Sequence, residues 1–397
     1  MLPRVKIYFE NGALGSSAPS DDAVVGLLAS GVAVSGTFVL GTTYLITSLD
    51  GLTALGITSA LNDANALIYK TVMEFYKEAP LGTKLWILGC ADTVLLSDMV
   101  DVTKTHGKAL LNAANGAINF LMLAKKNTSG FTPTITAGLE ADVALAITNA
   151  QALGIWAAET KFAPIFTIVP GRHYGGTASA LADLTTAANN RVCVMIGDSA
   201  SASVDAAVGL LAGRIAAIPV QRSIARVKTG VVPVNALYTG SVASELGDPD
   251  VINDKGYITF RTFVGKAGYY FTDDKLATAA TDDYALIPRR RVIDKAYRIA
   301  YSAMVTQLSD ELPVTDAGTV PAPIAKSIQN AVEVAVEVSM AGNLGSDPTN
   351  ANDTGVQCFI DATQNIVSTS KLIATLKVKP FGYAKYIDVY LGFKATT

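Results

Sequence analysis

The sequence contains little charge for its length, and this shortage limits what the protein can do. Of its 397 residues, 16% are Asp, Glu, Lys or Arg and 50% are hydrophobic, whereas soluble domains average about 25% charged residues. The formal net charge is −3, so the chain lacks the basic face that a nucleic-acid-binding protein needs. This composition is typical of subunits of large assemblies and of membrane proteins, and it predicts no nucleic-acid partner.

Histidine and cysteine, which supply many metal ligands, are also scarce. The two histidines, His106 and His173, do not form an HExxH motif. The three cysteines, Cys90, Cys193 and Cys358, lie far apart, and no pair has metal-ligand spacing. We expect them to be buried free thiols in a reducing compartment. The sequence therefore predicts no metal site and no bound cofactor.

Charged residues are absent from 23–49, a stretch long enough to cross a bilayer. Glycines interrupt it every five residues, at Gly26, Gly31, Gly36 and Gly41. Asp residues bound the stretch on both sides, and the Lys and Arg flanks that anchor a membrane span are missing. Short buried strands with glycine at the turns fit this pattern better, so we expect no membrane insertion.

Two polar loops follow predicted strands, where α/β enzymes bind their ligands. Residues 171–176, GRHYGG, could form an anion or nucleotide loop, but the glycines lack GxGxxG spacing and a glycine-rich turn explains them. Asp198 lies in IGDSA, which is not a GxSxG elbow, and a helix N-cap explains it more simply. The sequence thus predicts no catalytic residue and a protein that is not an enzyme. A Rossmann-like enzyme with a small ligand near Gly171–Gly176 and Asp198 is the alternative.

The chain does contain an isolated strand pattern at its beginning. Val5, Ile7 and Phe9 alternate with polar or charged neighbours, as in a β-strand. The following Asn, Gly, Ser and Pro residues indicate a flexible linker. A strand cut off by a linker has unpaired backbone at both edges. We therefore expect residues 1–20 to form an arm that docks on a distant part of the chain or on a neighbouring copy.

From residue 21 to 245, short apolar strands alternate with helices, which indicates βαβ units and an α/β domain with a parallel or mixed sheet. The predicted helices are residues 62–77, 138–160, 178–188 and 202–215. The predicted strands are residues 85–88, 118–123, 165–169 and 192–196.

Beyond residue 250 the pattern changes and predicts a second, mixed α+β domain over residues 250–397. It begins with a predicted hairpin at 257–271, followed by helices at 288–312 and 323–340. Residues 372–379 and 386–393 then alternate with period two. The apolar side chains of the last predicted strand are Ile387, Val389, Leu391 and Phe393. The chain is thus expected to end, as it begins, in an edge-type strand.

Three consecutive arginines begin the first of these helices, and two acids lie at its predicted end. The arginines are Arg289, Arg290 and Arg291, and the acids are Asp310 and Glu311. A helix dipole favours the reverse arrangement by about 0.3–1 kcal/mol per charge. We therefore expect the arginines to have an acidic partner elsewhere, for example on another subunit, with a solvated charge cluster as the alternative.

Two segments resemble the C-terminal domain of contractile tail sheath proteins. They are residues 256–270, GYITFRTFVGKAGYY, and residues 282–304, DDYALIPRRRVIDKAYRIAYSAM. In that family a glycine-rich strand pair with an Arg–Thr step precedes a helix that opens with R-x-x-D. The matching residues are Arg261–Thr262, Arg291 and Asp294. Residues 74–88, EFYKEAPLGTKLWIL, resemble an early part of such subunits.

The resemblance implies a discontinuous inner α/β domain, made from the N-terminal strand and the C-terminal third, with residues 21–245 inserted as an outer α/β domain. It also implies terminal arms that add strands to the sheets of adjacent subunits. Such subunits would stack as hexameric rings around a tail tube. Their rearrangement would shorten the sheath and drive the tube through a cell envelope, with the arms as hinges.

The same resemblance implies partners and a location. The partners would be further copies of the chain, a tail tube protein, and baseplate and terminator proteins, in a virion tail assembled in the host cytoplasm. The expected subunit contacts are Val5, Ile7, Phe9, Arg289, Arg290, Arg291, Ile387, Val389, Leu391 and Phe393. The residues expected to face the tube are Lys326, Glu333 and Glu337. Another self-assembling shell protein is a further alternative.

Overall fold

The computed structural model describes residues 21–59, 64–350 and 352–393. Its contacts divide the chain into two compact units, with the boundary after Arg298. The expected N-terminal arm, with Val5, Ile7 and Phe9, lies outside the described residues.

Helices and short strands alternate in the first unit. Its strands are β1 (Val25–Gly31), β2 (Thr43–Ile46), β3 (Leu85–Ala91), β4 (Phe120–Ala124), β5 (Ile135–Thr136), β6 (Leu139–Glu140), β7 (Phe166–Pro170), β8 (Ala188–Asn189), β9 (Val192–Met195), β10 (Tyr238–Thr239), β11 (Val242–Ala243), β12 (Phe260–Phe263), β13 (Lys266–Phe271) and β14 (Ala277–Thr278). Its helices are α1 (Leu49–Ala54), α2 (Ala66–Glu78), α3 (Leu96–Met99), α4 (His106–Ala113), α5 (Ala141–Thr160), α6 (Val208–Ala217), α7 (Pro249–Asp254) and the greater part of α8 (Ile287–Val305).

Six strands form the central sheet, in the order β2-β3-β1-β4-β7-β9. All neighbours are parallel except β2, which runs antiparallel to β3 at one edge. The five parallel strands have the order 2-1-3-4-5, a doubly wound arrangement. Every residue of β1, β4 and β7 is buried, as their continuous apolar sequences require when helices cover both faces. The predicted α/β class, with a mixed sheet, is therefore confirmed.

The two faces of the sheet support separate hydrophobic layers. Leu27 of β1 belongs to the layer with α2 and α6, and Leu28 belongs to the layer with α4 and α5. Helices α2 and α6 pack at very short range. A Cβ atom at Gly209 or Gly213 of α6 would lie 2.2 Å or 2.4 Å from a carbonyl oxygen of α2. Both positions therefore require glycine.

Two predictions for the first unit are wrong. Residues 178–188 do not form a helix but two 3₁₀ turns and the short strand β8. Apolar side chains are buried there at every third residue, Ala178, Leu181 and Leu184, which is the period of a 3₁₀ turn. The predicted helix 202–215 begins only at Val208. Residues 23–49 form β1, β2 and turns, and no described helix is long and apolar enough to cross a membrane.

The boundary between the compact units does not coincide with the change of pattern near residue 250. Residues beyond 250 belong to the core of the first unit: Phe260 and Phe271 are buried in it, and Ile258 N–H donates a hydrogen bond to the Val194 carbonyl next to the central sheet (2.9 Å). The sequence pattern changes where the hairpin begins, whereas the first unit extends to Arg298.

The second unit contains the end of α8, then α9 (Ala322–Ser339), β15 (Val356–Ile360), α10 (Ile366–Thr369) and β16 (Ala374–Val378). The predicted helix 323–340 is confirmed by α9. The predicted helix 288–312 ends early, at Val305. Asp310 and Glu311 therefore lie outside α8.

Candidate assembly surface

The second unit contains an incomplete β-sheet, which is the best candidate for an assembly surface. Strands β15 and β16 pair antiparallel, with Val356 opposite Val378 and Ile360 opposite Ala374. Helix α9 covers one face of this sheet, where Cys358 and Ile360 are buried. On the other face Phe359 is 57% exposed. A two-stranded sheet on its own is only marginally stable in water, so packing against α9 supports one face of this sheet while the other face stays exposed.

Two side chains of α9 occupy the outer edge of β15. Gln329 Nε2 donates a hydrogen bond to the carbonyl of Cys358, and the Cys358 N–H donates one to Glu333 Oε1, both at 2.7 Å. Gln329 and Glu333 are one helical turn apart and so lie on the same side of α9. Because they bind both backbone groups of Cys358, these groups point away from β16. The outer edge of β15 is thus capped at its middle residue.

The outer edge of β16 differs from the capped outer edge of β15. Lys379 N–H donates to the Gly355 carbonyl on the β15 side (2.8 Å), so the odd-numbered residues of β16 direct their backbone groups toward β15. The even-numbered Ala374, Leu376 and Val378 therefore direct their N–H and C=O groups outward. Among the described residues, no strand pairs with this edge.

The end of the chain is extended, apolar and exposed. The predicted strand 386–393 is not formed in this chain, since no described edge pairs with it. Its apolar side chains are exposed to 76–107%, the least for Ile387 and the most for Phe393. A strand needs a partner for its backbone, and this segment has the side-chain alternation of a strand without one. We call residues 384–397 the tail, of which the structure describes residues 384–393.

The structure corrects the expectation for two of the three arginines at the start of α8. Arg290 Nη2 pairs with Asp294 on the same helix (2.5 Å), and Arg291 donates to the Ile218 carbonyl (3.2 Å). Both side chains are almost wholly buried. Burial lowers the pKa of Arg291 to about 10, against the opposing attraction of Asp22. Their partners thus lie within the chain, and of the three only Arg289 is partly exposed.

The three residues expected to face a tube, Lys326, Glu333 and Glu337, lie on one side of α9 and differ in exposure. Lys326 and Glu337 are exposed on α9. Glu333 is half-buried and accepts the hydrogen bond from Cys358. Its carboxylate therefore has a role in the second unit itself.

The alternative ligand loop at 171–176 contains a buried ion-pair cluster. The Arg172 side chain is fully buried and donates to Glu140 (2.7 Å), to Asp205 (2.9 Å) and to Asn127. Burial raises the pKa of Glu140 and Asp205, and Arg172 opposes both shifts. Burial, and then Arg172, lower the pKa of His173. The guanidinium thus already has two carboxylate partners within the chain.

Asp198 belongs to a second buried cluster nearby. Its carboxylate pairs with Lys70, which also contacts Glu74 (3.3 Å), and Ser199 Oγ donates to Glu74 (2.5 Å). Helix α6 begins ten residues later, at Val208, so the interpretation of Asp198 as a helix N-cap is wrong. The described residues contain no group of three His, Cys, Asp or Glu side chains placed to hold a metal ion.

Sequence reasoning did not identify the cap on β15. One signal was available, because Gln329 and Glu333 are polar residues one turn apart beside the apolar stripe of α9. Such residues are buried only when they are hydrogen-bonded, and Gln329 is 8% exposed. Their partner, the backbone of Cys358, could not be identified before the fold was known.

Solved structures of other proteins match this chain over nearly its whole length. The contracted helical sheath of the anti-feeding prophage is 16% identical and superimposes with a TM-score of 0.63, over 99% of each chain. A chain of the six-fold symmetrised baseplate of the same particle is 17% identical, with a TM-score of 0.63 over 100% of both chains. The sheath tail protein of Desulfitobacterium hafniense is 10% identical, with a TM-score of 0.53 over 95% of this chain and 100% of that one. At these identities the likeness shows a shared fold.

No curated protein matches the sequence. Two family models do match it: the DUF2586 N-terminal domain over residues 2–275 and the DUF2586 C-terminal domain over residues 283–397. The chain therefore belongs to the DUF2586 family and has the fold of contractile sheath proteins.

Proposed function

We propose that this protein is a structural subunit of a contractile tail sheath and that its copies assemble by exchanging terminal strands. The observation that carries the proposal is that the chain has both an unpaired strand edge on β16 and a tail with a strand pattern, which is exposed in the isolated chain. The likeness in fold to sheath proteins over the whole chain supports it. The role is mechanical and not enzymatic.

The energetics favour assembly through the tail. Burying one large aliphatic or aromatic side chain stabilises by about 1.5–3 kcal/mol. Ile387, Val389, Leu391 and Phe393 are all largely exposed in the isolated chain. A neighbour that buried even two of them would gain several kcal/mol before the cost of ordering the tail. The isolated subunit is thus incomplete and a second copy completes it.

The finer features of the proposal follow the sheath resemblance. Subunits stack as hexameric rings around a tail tube, in a virion tail with baseplate and terminator proteins at its ends. The N-terminal strand, with Val5, Ile7 and Phe9, and the C-terminal third form an inner domain. Arg289 contacts a neighbouring subunit. Lys326 and Glu337 of α9 face the tube. Contraction releases energy stored in the extended assembly, with the terminal arms as hinges.

Negative-stain electron microscopy of concentrated protein, with size-exclusion chromatography alongside, tests the assembly. Tubes or stacked rings with a hollow lumen are the expected result. If the protein stays monomeric, the measurement is repeated with a tail tube protein as template. A chain that remains monomeric in both conditions contradicts the proposal.

Deleting residues 1–18 tests the N-terminal arm separately. The shortened chain is expected to remain folded and soluble but to lose polymerisation, because the arm contributes to contacts between subunits. Ile7→Pro should act in the same way, since it removes a backbone donor from the strand. A deletion that unfolds the monomer would show that the arm belongs to its own chain.

A further inference from the structure

We propose that the first unit makes a head-to-tail contact between copies, in which an acidic surface of one copy binds a basic surface of a second copy. The acidic surface consists of Leu246, Asp248, Asp250, Val251 and Asp254. The basic surface consists of Arg222, Arg226 and Lys228. This inference rests on the proposed function, because it assigns a contact of the assembly that involves neither terminal arm.

The acidic surface lies around α7. The charged residues of 242–255 are the acids Glu245, Asp248, Asp250 and Asp254 and the base Lys255. Asp250 and Asp254 are both exposed and are one helical turn apart, so they lie on the same side of α7. Leu246 is 75% exposed and Val251 is 41% exposed. Exposed apolar side chains with charged neighbours have the composition of a protein–protein interface, which has an apolar centre and a polar rim.

The basic surface lies in the loop that follows α6. Residues 219–230 contain Arg222, Arg226 and Lys228 and no acid. Arg226 and Lys228 are exposed, and Arg222 is half-buried. The ion pairs of the described residues include none of these three side chains and none of the acids of the acidic surface. Each surface thus has charge of one sign that its own chain does not neutralise.

The hydrophobic core fixes the two surfaces on opposite faces of the central sheet. Ile224, which lies between the two arginines, is buried in the layer with α2 and α6. Ile252 of α7 is buried in the layer with α4 and α5. Because the sheet separates the two surfaces, they cannot pair with each other within one chain. The partner that fits each surface is therefore the opposite face of a second copy.

Charge also determines the symmetry of this contact. Two acidic surfaces repel each other, as do two basic surfaces, so a two-fold contact between identical surfaces is disfavoured. An acidic surface against a basic surface is a contact between different parts of the two copies. Such a heterologous contact leaves one surface of each kind open and adds further copies, which builds a ring or a helical filament.

Zero-length cross-linking of the full-length chain tests the contact directly. A carbodiimide joins a lysine amine to a carboxylate that touches it, and Lys228 supplies the amine of the basic surface. Isotope-labelled and unlabelled chains are mixed, alone and with a tail tube protein, so that mass spectrometry separates cross-links between copies from those within one chain. We expect cross-links between copies from Lys228 to Asp250 or Asp254. Their yield should fall in about 1 M salt, where charges are screened beyond about 3 Å.

Charge exchange tests the same contact by mutation. One variant combines Arg226→Glu with Lys228→Glu, and the other combines Asp250→Lys with Asp254→Lys. In each variant both surfaces have the same sign, so association of identical copies should weaken by at least about tenfold, which corresponds to about 1.4 kcal/mol. When the two variants are mixed, opposite signs meet again at every contact between unlike chains, and association should return. Size-exclusion chromatography and electron microscopy measure both results.

Two control variants make equal changes in charge at exposed positions outside both surfaces. They are Lys104→Glu with Lys161→Glu and Asp310→Lys with Glu311→Lys. Both should associate as the unchanged chain does. Circular dichroism establishes that each variant is folded. If a surface variant fails to fold, the cross-links of Lys228 in the unchanged chain decide the proposal.

The outcomes separate this inference from the proposed function. Surface variants that associate as well as the unchanged chain, control variants that weaken association equally, or assembled copies without Lys228 cross-links would each overturn the head-to-tail contact and leave the sheath subunit standing. An unchanged chain that stays monomeric, alone and with a tail tube protein, would contradict the proposed function and this inference with it.

Discussion

The two units of the chain satisfy their polar and apolar groups in opposite ways. In the first unit β3, β1, β4 and β7 of the sheet are paired on both sides, and buried charges such as Arg172 have carboxylate partners within the chain. In the second unit the sheet has two strands, and apolar side chains of the tail are exposed. The first unit thus buries its long strands and charges within itself, whereas the second unit exposes an apolar segment that another molecule would have to cover.

Because of this difference, we expect the first unit to determine the stability of the monomer and the tail to determine assembly. Substitutions in the first unit should change the free energy of unfolding of the monomer. Substitutions in the tail should change assembly and leave the monomer almost unaffected, because exposed side chains contribute little to stability. Four measurements test how far this separation holds.

Deleting residues 384–397 should have the largest effect. We expect assembly to be abolished, because the deletion removes the apolar strand that would occupy β16 of another copy. The midpoint of thermal unfolding should stay within about 2 °C, since surface changes usually stay within ±0.5 kcal/mol. Electron microscopy and differential scanning calorimetry measure the two outcomes. A deletion that lowers the midpoint strongly would place the tail in the fold of its own chain.

Arg172→Ala should have the largest effect on the stability of the monomer. It leaves Glu140 and Asp205 buried without their cation, and breaking a buried ion pair costs about 3–5 kcal/mol. Urea denaturation followed by circular dichroism measures the change. Arg226→Ala, at an exposed arginine, is the matched control and should stay within about 0.5 kcal/mol. Equal effects of the two substitutions would show that the buried ion pairs of Arg172 do not stabilise the first unit.

Val336→Ala should destabilise the second unit by a smaller amount. Val336 of α9 is fully buried, while Val338, two residues later, is 71% exposed. Removing two buried methyl groups costs about 2 kcal/mol when the loss of packing is included. Val338→Ala should change stability by less than about 0.5 kcal/mol. Hydrogen exchange of β15 amides reports on this unit; similar exchange in the two variants would show that its small core adds no stability.

The two units should also respond oppositely to acid. In the first unit burial raises the pKa of Glu140 and Asp205. The folded state therefore binds their protons more tightly than the unfolded chain, and their contribution to stability falls as pH rises through the raised values. In the second unit the Lys379 side chain and backbone N–H groups lower the pKa of Asp353 to about 2. Its stabilisation is fully present above the unfolded value and is lost as pH falls through about 2.

Asp353→Asn measures the second of these contributions and should have the smallest effect. The variant lacks the charge that pairs with Lys379 (2.8 Å), so the protection factors of the β16 amides should fall less between about pH 5 and about pH 2.5 than in the unchanged chain. Asp310→Asn, at an exposed acid outside any helix, is the control. An unchanged pH dependence in Asp353→Asn would show that this ion pair does not stabilise the sheet of β15 and β16.

Much of the fold could be predicted because local patterns and packing agree. The apolar runs of β1, β4 and β7 and the stripe of α9 correspond to what these elements bury. Residues 178–188 were misread because three apolar residues at a spacing of three fit a helix and a 3₁₀ turn equally well. The strand predicted for the tail stays a prediction, because side-chain alternation indicates a preference for a strand and does not supply the partner edge.

The sequence by itself determined the α/β class, the buried strands, the long helix of the second unit and the strand-like pattern of the tail, since these depend on the period of side chains along the backbone. Only the tertiary structure decided that Arg290 and Arg291 have partners within the chain, that Gln329 and Glu333 cap one edge of the small sheet, and that the other edge is open. These features depend on which groups that are distant in sequence come into contact. Such contacts cannot be predicted from the pattern of side chains along the sequence.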